Sequence, residues 1–189
     1  MSPSKKTKNN KELTDALLDD QNVLSPKFLH QFSDIQKDTL SAIEEIWDKV
    51  NPVRKKLILE DLESLQEKDT LLCFDEFAKF ALTDDDPTIR SLAIHLLWES
   101  EDVHLVPHLL ALLDNDPITI VRAAAAEGLG KYILLAETEK VPAAKLSEIV
   151  NRLVHNYLQN KEESIQLRSI ESLGFSSQDE VIPLIENAF

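Results

Sequence analysis

Apolar residues recur along this chain three and four positions apart, and period-two alternation of β-branched and aromatic residues is absent, so the pattern predicts helices throughout. Ile35, Leu40, Ile43, Ile46 and Trp47 mark one amphipathic helix. Asn51-Pro52 breaks and restarts the chain, and Leu57, Ile58, Leu62 and Leu65 mark the next helix. A third runs from Leu72 through Phe74, Phe77 and Phe80 to Leu82. Beyond it one phrase is written three times. It reads Ile89-Arg90-x-x-Ala93-Ile94-x-x-Leu97-Trp98, then Val121-Arg122-x-x-Ala125-Ala126-x-x-Leu129-Gly130, then Ile165-Gln166-x-x-Ser169-Ile170-x-x-Leu173-Gly174, with starts 32 and 44 residues apart. Within each copy the apolar positions fall at i, i+4, i+5 and i+8, one stripe of a helix. The small residue in the middle (Ala93, Ala125, Ser169) lets a neighbouring helix approach closely. Self-similarity at this period predicts stacked helix pairs, each burying its face only against its neighbours.

Punctuation supports the same division. Asp86-Pro87 and Asp116-Pro117 each place a capping carboxylate before a proline at the first helical position, so each pair is expected to open the second helix of a repeat. On that alignment the second copy has two extra residues between its Asp-Pro and its valine. The helix from Pro117 is expected to reach about Glu137, Val103–Leu113 to form the short helix before it, and Pro142 to open another. The expected organisation is a disordered basic tail over residues 1–11, an irregular helical cap over 12–33, and a repeat region over 34–189. The fold class is all-α, an α-α superhelix of about four helix pairs. Ile182 and Ile185 begin a first-type helix with no second-type helix after it. Further repeats or self-association at the C-terminal end are therefore expected.

At Asp-Pro-x-Ile-Arg, Val-Arg-x-x-Ala-Ala and Leu-Gly the sequence resembles HEAT-like repeats, specifically the short kind known from phycobilisome lyases. The run Leu97-Trp98-Glu99 followed by Leu110-x-Leu112-Leu113 looks like a bacterial HEAT-repeat family of unassigned activity. The resemblance covers roughly residues 34–189 and is strongest at 84–134. It is weak at 52–66, where Asp61 occupies a position that is apolar in the other copies. It implies that the second helices line a concave face. Gln166 stands where the other copies have Arg90 and Arg122, so an arginine ladder along the stack would be interrupted there.

Charge narrows the partners. The chain of 189 residues carries a formal net charge of −14, although Lys5, Lys6, Lys8 and Lys11 crowd its first eleven residues without an acid among them. An acidic body repels a phosphate backbone, which disfavours nucleic acid and favours a protein or peptide with a basic segment. No apolar run approaches the 18 residues that a spanning helix needs, so no membrane partner is expected. No secretory pattern follows the N-terminal lysines, and a cytoplasmic location is the default. The one cysteine, Cys73, excludes an internal disulfide and is read as a small core residue within Leu71-Leu72-Cys73-Phe74.

No catalytic, cofactor or metal constellation is predicted. His104 and His108 lie four apart, as in a zinc motif, but the intervening glutamate is Leu105. None of the five histidines is followed by the glutamate that HEAT-like metal-dependent hydroxylases would require. Gly128-Leu-Gly130 lies within a helical pattern and reads as close packing. Asp84-Asp85-Asp86 reads as a capped, solvated turn. Arg90 and Arg122 fit anion recognition, but they belong to the repeat and are better read as tying turns together through Asp86, Asp114 or Asp116. Trp98 stands where the other copies have glycine and is the best interaction anchor. With Glu99, Arg90, Arg122 and Glu127 it makes up the candidate partner-binding set. The expected function is a non-catalytic scaffold that binds protein along the concave surface. The alternative, by fold analogy, is an accessory or lyase-like subunit acting on a tetrapyrrole-bearing protein.

Overall fold

The computed structural model describes residues 5–188, and the fold is all-α with no strand among them. The chain divides into two compact units, Met1–Leu97 and Trp98–Phe189.

The first unit holds α1 (Lys5–Leu18), α2 (Pro26–Leu29), α3 (Lys37–Glu44), α4 (Pro52–Lys68), α5 (Asp75–Ala81) and α6 (Pro87–Leu96). The expected disordered tail is instead helical from Lys5. The side chain of Asn10 explains part of this: it donates to the Asp38 carbonyl and accepts from Thr39 Oγ1 at 2.9 Å, tying α1 to α3. The part of that expectation that concerns residues 1–4 lies outside the described residues. The helix expected over Ile35–Trp47 ends at Glu44, and Trp47 begins a 3-10 turn (Trp47–Lys49). Trp47 then enters an aromatic cluster. Its ring lies edge-on to Phe77 and Phe80, and Phe77 stacks edge-on to Phe32 at 4.6 Å between centroids. Such edge-to-face contacts add to the burial of the rings themselves. α4 and α5 both pack on α6, whose Ile89, Ala93, Ile94 and Leu97 are buried as the repeated phrase requires. Leu57, expected on the buried face of α4, is instead exposed, one position off the stripe of Ile58 and Leu62. Cys73 is also exposed, because α5 begins two residues later and leaves it in the connecting turn. Burial of its thiol is nonetheless enough to push its pKa up.

The second unit holds α7 (Val106–Asn115), α8 (Thr119–Ala136), α9 (Ala143–Gln159), α10 (Glu163–Leu173) and α11 (Ile182–Ala188). α7 packs on α8, α9 on α10, and α8 on α10, so the helices carrying the second and third copies of the phrase lie side by side. Their contact is close because its residues are small. Ser172 Oγ donates to the Ala126 carbonyl at 2.9 Å, and a Cβ built on Gly130 would meet Ser172 Oγ at 2.8 Å. Ala125, Ala126 and Ser169 are fully buried in the same layer.

Candidate interaction surface

The turn before each copy of the phrase is built alike. Asp84 Oδ1 accepts from the Asp86 N–H, Asp116 Oδ1 from the Ile118 N–H and Asn160 Oδ1 from the Glu162 N–H, all at 2.8–3.0 Å. Six residues on, a long polar side chain folds back onto the carbonyl of the same Asp or Asn. Arg90 Nη1 donates to Asp84 O at 2.7 Å, Arg122 Nη1 to Asp116 O at 2.7 Å, and Gln166 Nε2 to Asn160 O at 2.7 Å. Arg90 Nη1 also donates to Asp85 O, and Arg122 Nη2 to Thr119 Oγ1.

This revises the sequence expectations for these turns. The counterpart of Asp116 is Asp84 rather than Asp86, so the second copy has no insertion; Pro117 occupies the place of Asp85, and α8 starts at Thr119. Asp86 is the N-cap of α6, accepting from the Thr88 N–H, with Pro87 at the first helical position as expected. Each arginine also ties its own turn through a carbonyl, a bond the sequence did not announce, and Asp114 pairs with Arg152. The glutamine is not an interruption, since an amide N–H reaches the same carbonyl as a guanidinium. Asp84 is not solvated.

The Asp84 carboxylate does more than cap its own turn. Its Oδ2 accepts from Lys55 Nζ at 2.9 Å and from Trp47 Nε1 at 2.6 Å, and Lys55 Nζ lies 5.0 Å from the Trp47 ring centroid. The two charged side chains are 10% and 3% exposed. Burial pushes the Asp84 pKa up, but the hydrogen bonds from the Asp86 amide, Lys55 and Trp47, with the Lys55 charge, more than offset it and leave the carboxyl below its ordinary range. Sequence reading missed this pair. A single lysine on an otherwise ordinary helix face gave no signal of burial.

In the second unit the segment Trp98–Asp102 is strapped to α8 and the turn after it. Lys131 Nζ donates to the Trp98 carbonyl at 2.6 Å, Tyr132 Oη to the Asp102 carbonyl at 3.1 Å, and Lys140 pairs with Glu101 at 2.6 Å. Trp98 is half-buried and Glu99 exposed. Glu127, one helical turn before Lys131, pairs with Arg168 of α10 at 3.4 Å, and Arg168 also reaches Glu171. The Trp98 carbonyl thus lies against Lys131 of α8 and Glu127 against Arg168 of α10, while Arg122 is engaged in its own turn. Arg90 belongs to the first unit and is engaged likewise.

Residues 74–152 match the family model for HEAT repeats. The match takes in α5 to α8 and more than half of α9. No curated protein matches the chain. His104 and His108 are exposed, and no group of three or more His, Cys, Asp or Glu placed to hold a metal occurs among the described residues. No helix among them is long and apolar enough to cross a membrane.

Proposed function

We propose that this protein is a non-catalytic HEAT-repeat scaffold that binds another protein along the surface offered by its second-type helices. The observation that carries the reading is the HEAT match over residues 74–152, since helix-pair repeats of this kind commonly serve as protein-interaction scaffolds. The polar side chains of the repeated turns support it: Arg90, Arg122 and Gln166 hold backbone together rather than converging on a reacting centre. In the second unit the proposed anchor is Trp98, with Glu99 and Glu127 as the proposed acidic contacts. Tryptophan supplies a large contact area, and the carboxylates suit a basic segment on the partner. The chain itself is acidic at −14, which favours such a segment further.

The test is affinity capture from native cells with the intact chain as bait, repeated with Trp98→Ala. Enrichment of a defined protein set that the variant loses supports the reading, and recovery of no protein above background overturns it. Adding a bilin to the purified chain separates the lyase-like alternative, which requires a saturable shift of the visible band.

A further inference from the structure

The helix α4 carries two stripes. Ile58 and Leu62 face inward and are buried. Val53, Leu57 and Asp61 recur four residues apart on a different face, and all three are exposed. Against this second stripe lies the segment Asp20–Leu24, and between them is an open groove of about 580 Å³ floored by Leu24 and Ile58. Val23 forms part of its wall and is 95% exposed, while Val53 and Leu57 are 67% and 53% exposed. Arg54 fixes the wall in place: its Nη2 donates to the carbonyls of Asp19 and Asn22, bridging α4 to the segment opposite. The segment also closes on itself, with the Asp19 carboxylate accepting from Gln21 N–H and Asn22 Nδ2. The cavity is thus held open by hydrogen bonds and is not a gap between loose side chains.

Single exposed apolar residues are ordinary, but three on the walls of one built groove form a patch that marks a binding surface. The groove's charges say what kind. Asp20 and Asp61 are exposed on its lining, and Arg54, the one cation among the described lining residues, already points its Nη2 at carbonyls of the wall. The occupant therefore meets apolar side chains in the middle and carboxylates at the edge, within a chain whose net charge is −14.

We infer that the groove between Asp20–Leu24 and the Val53–Leu57–Asp61 stripe of α4 docks a basic amphipathic segment of a partner protein, an aliphatic side chain entering beside Leu57 and a lysine or arginine meeting Asp61 or Asp20. This rests on the scaffold reading and adds to it a second contact site in the first unit. A helical segment with aliphatic residues at i and i+4 matches the register of Val53 and Leu57. The carboxylates select against acidic and neutral segments and speed encounter with basic ones.

The probe is a fluorescent leucine–lysine model peptide with leucines at i and i+4, titrated against the intact chain. It is compared with the same peptide carrying glutamine for lysine and with one carrying serine for leucine. The protein variants are Leu57→Ser and Asp61→Lys, both at exposed positions, with Leu134→Ser on α8 as the control and circular dichroism to confirm unchanged helicity. Saturable binding of the leucine–lysine peptide is expected. Leu57→Ser should weaken it about tenfold, the effect of roughly 1.4 kcal/mol. Asp61→Lys should weaken it and flatten its salt dependence, and Leu134→Ser should leave it unchanged. Absence of binding, equal binding of the glutamine peptide, or indifference to Leu57→Ser overturns the groove. The scaffold reading is scored separately, by whether the intact chain captures a defined partner set. Such capture without saturable peptide binding to the intact chain would sink the groove alone.

Discussion

Asp84 shows how one buried carboxylate organises a turn. It receives the Asp86 amide on one oxygen and Lys55 and Trp47 on the other, and gives its carbonyl to Arg90. Its pKa is depressed in the folded state, so its contribution is fully present above its ordinary unfolded value and is lost as pH falls through the lower folded one. Acid titration of stability by urea denaturation should therefore show wild type losing more stability below about pH 4 than Asp84→Asn. At pH 7 the variant should be less stable by about 3 kcal/mol, because Lys55 is left as a buried charge without its partner. Parallel acid profiles would remove Asp84 from this role. The repeated side chain six residues on makes a sharper comparison. Gln166 does for Asn160 what Arg122 does for Asp116, through one N–H to one carbonyl. Arg122→Gln should then be tolerated to within about 0.5 kcal/mol, whereas Arg122→Ala should cost about 1–2 kcal/mol. Equal losses for the two would mean that the guanidinium acts through its charge or its second bond to Thr119.

Between elements, the tightest approach is that of α8 to α10. Alanine is intrinsically the better helix residue by about 1 kcal/mol, so helix propensity alone predicts that Gly130→Ala stabilises. Packing predicts the reverse. The new Cβ would lie 2.9 Å from Ser172 Cβ and 3.2 Å from Ser172 Cα, so backbone must move as well as a hydroxyl. Overpacking of this kind costs roughly 1–3 kcal/mol, and we expect a net fall in the denaturation midpoint that Ser172→Gly partly relieves. A rise in the midpoint would show that the two helices part freely. The small-residue layer was legible in the sequence because the phrase repeats it at Ala93, Ala125 and Ser169. The identity of the touching pair, Gly130 with Ser172, was not, since residues 42 apart in the chain carry no mark of their meeting. The helix starts show the same limit. Asp-Pro signals a turn reliably, yet Asp86-Pro87 caps α6 directly while Asp116-Pro117 precedes the start of α8 by two residues. Both aspartates take the amide two residues on; Asp116 differs in also giving its carbonyl to the arginine six residues on, as Asp84 does in the first unit, and only hydrogen bonds reveal that. Likewise, the second stripe of α4 is written as Val53-x-x-x-Leu57-x-x-x-Asp61 but is hidden by the stronger inward stripe beside it.

For the whole chain, the dominant long-range term is its charge. At −14 the molecule repels itself, and such repulsion disfavours the compact state. Opposing this are ion pairs, most of them exposed. Lys56–Glu60, Lys79–Glu76 and Lys140–Glu101 all have substantial solvent contact, so each contributes little and fades with salt. The Lys55–Asp84 pair is sheltered and is screened far less. Added sodium chloride therefore removes the general repulsion while sparing this sheltered pair. Between about 0.01 M and 0.5 M salt the screening length contracts from about 30 Å to a few ångströms. Most repulsion between distant carboxylates is then gone. A gain of about 1 kcal/mol from this source raises the melting temperature of a chain this size by roughly 2–4 °C. The expected outcome in thermal melts at pH 7 is a melting temperature that climbs with salt and then levels off. Asp84→Asn should climb by a similar amount, since the lost pair was never the salt-sensitive part. A melting temperature that falls with salt would mean that the exposed pairs outweigh the net charge. The acidity would then be a feature of the surface presented to partners, with little bearing on the stability of the fold.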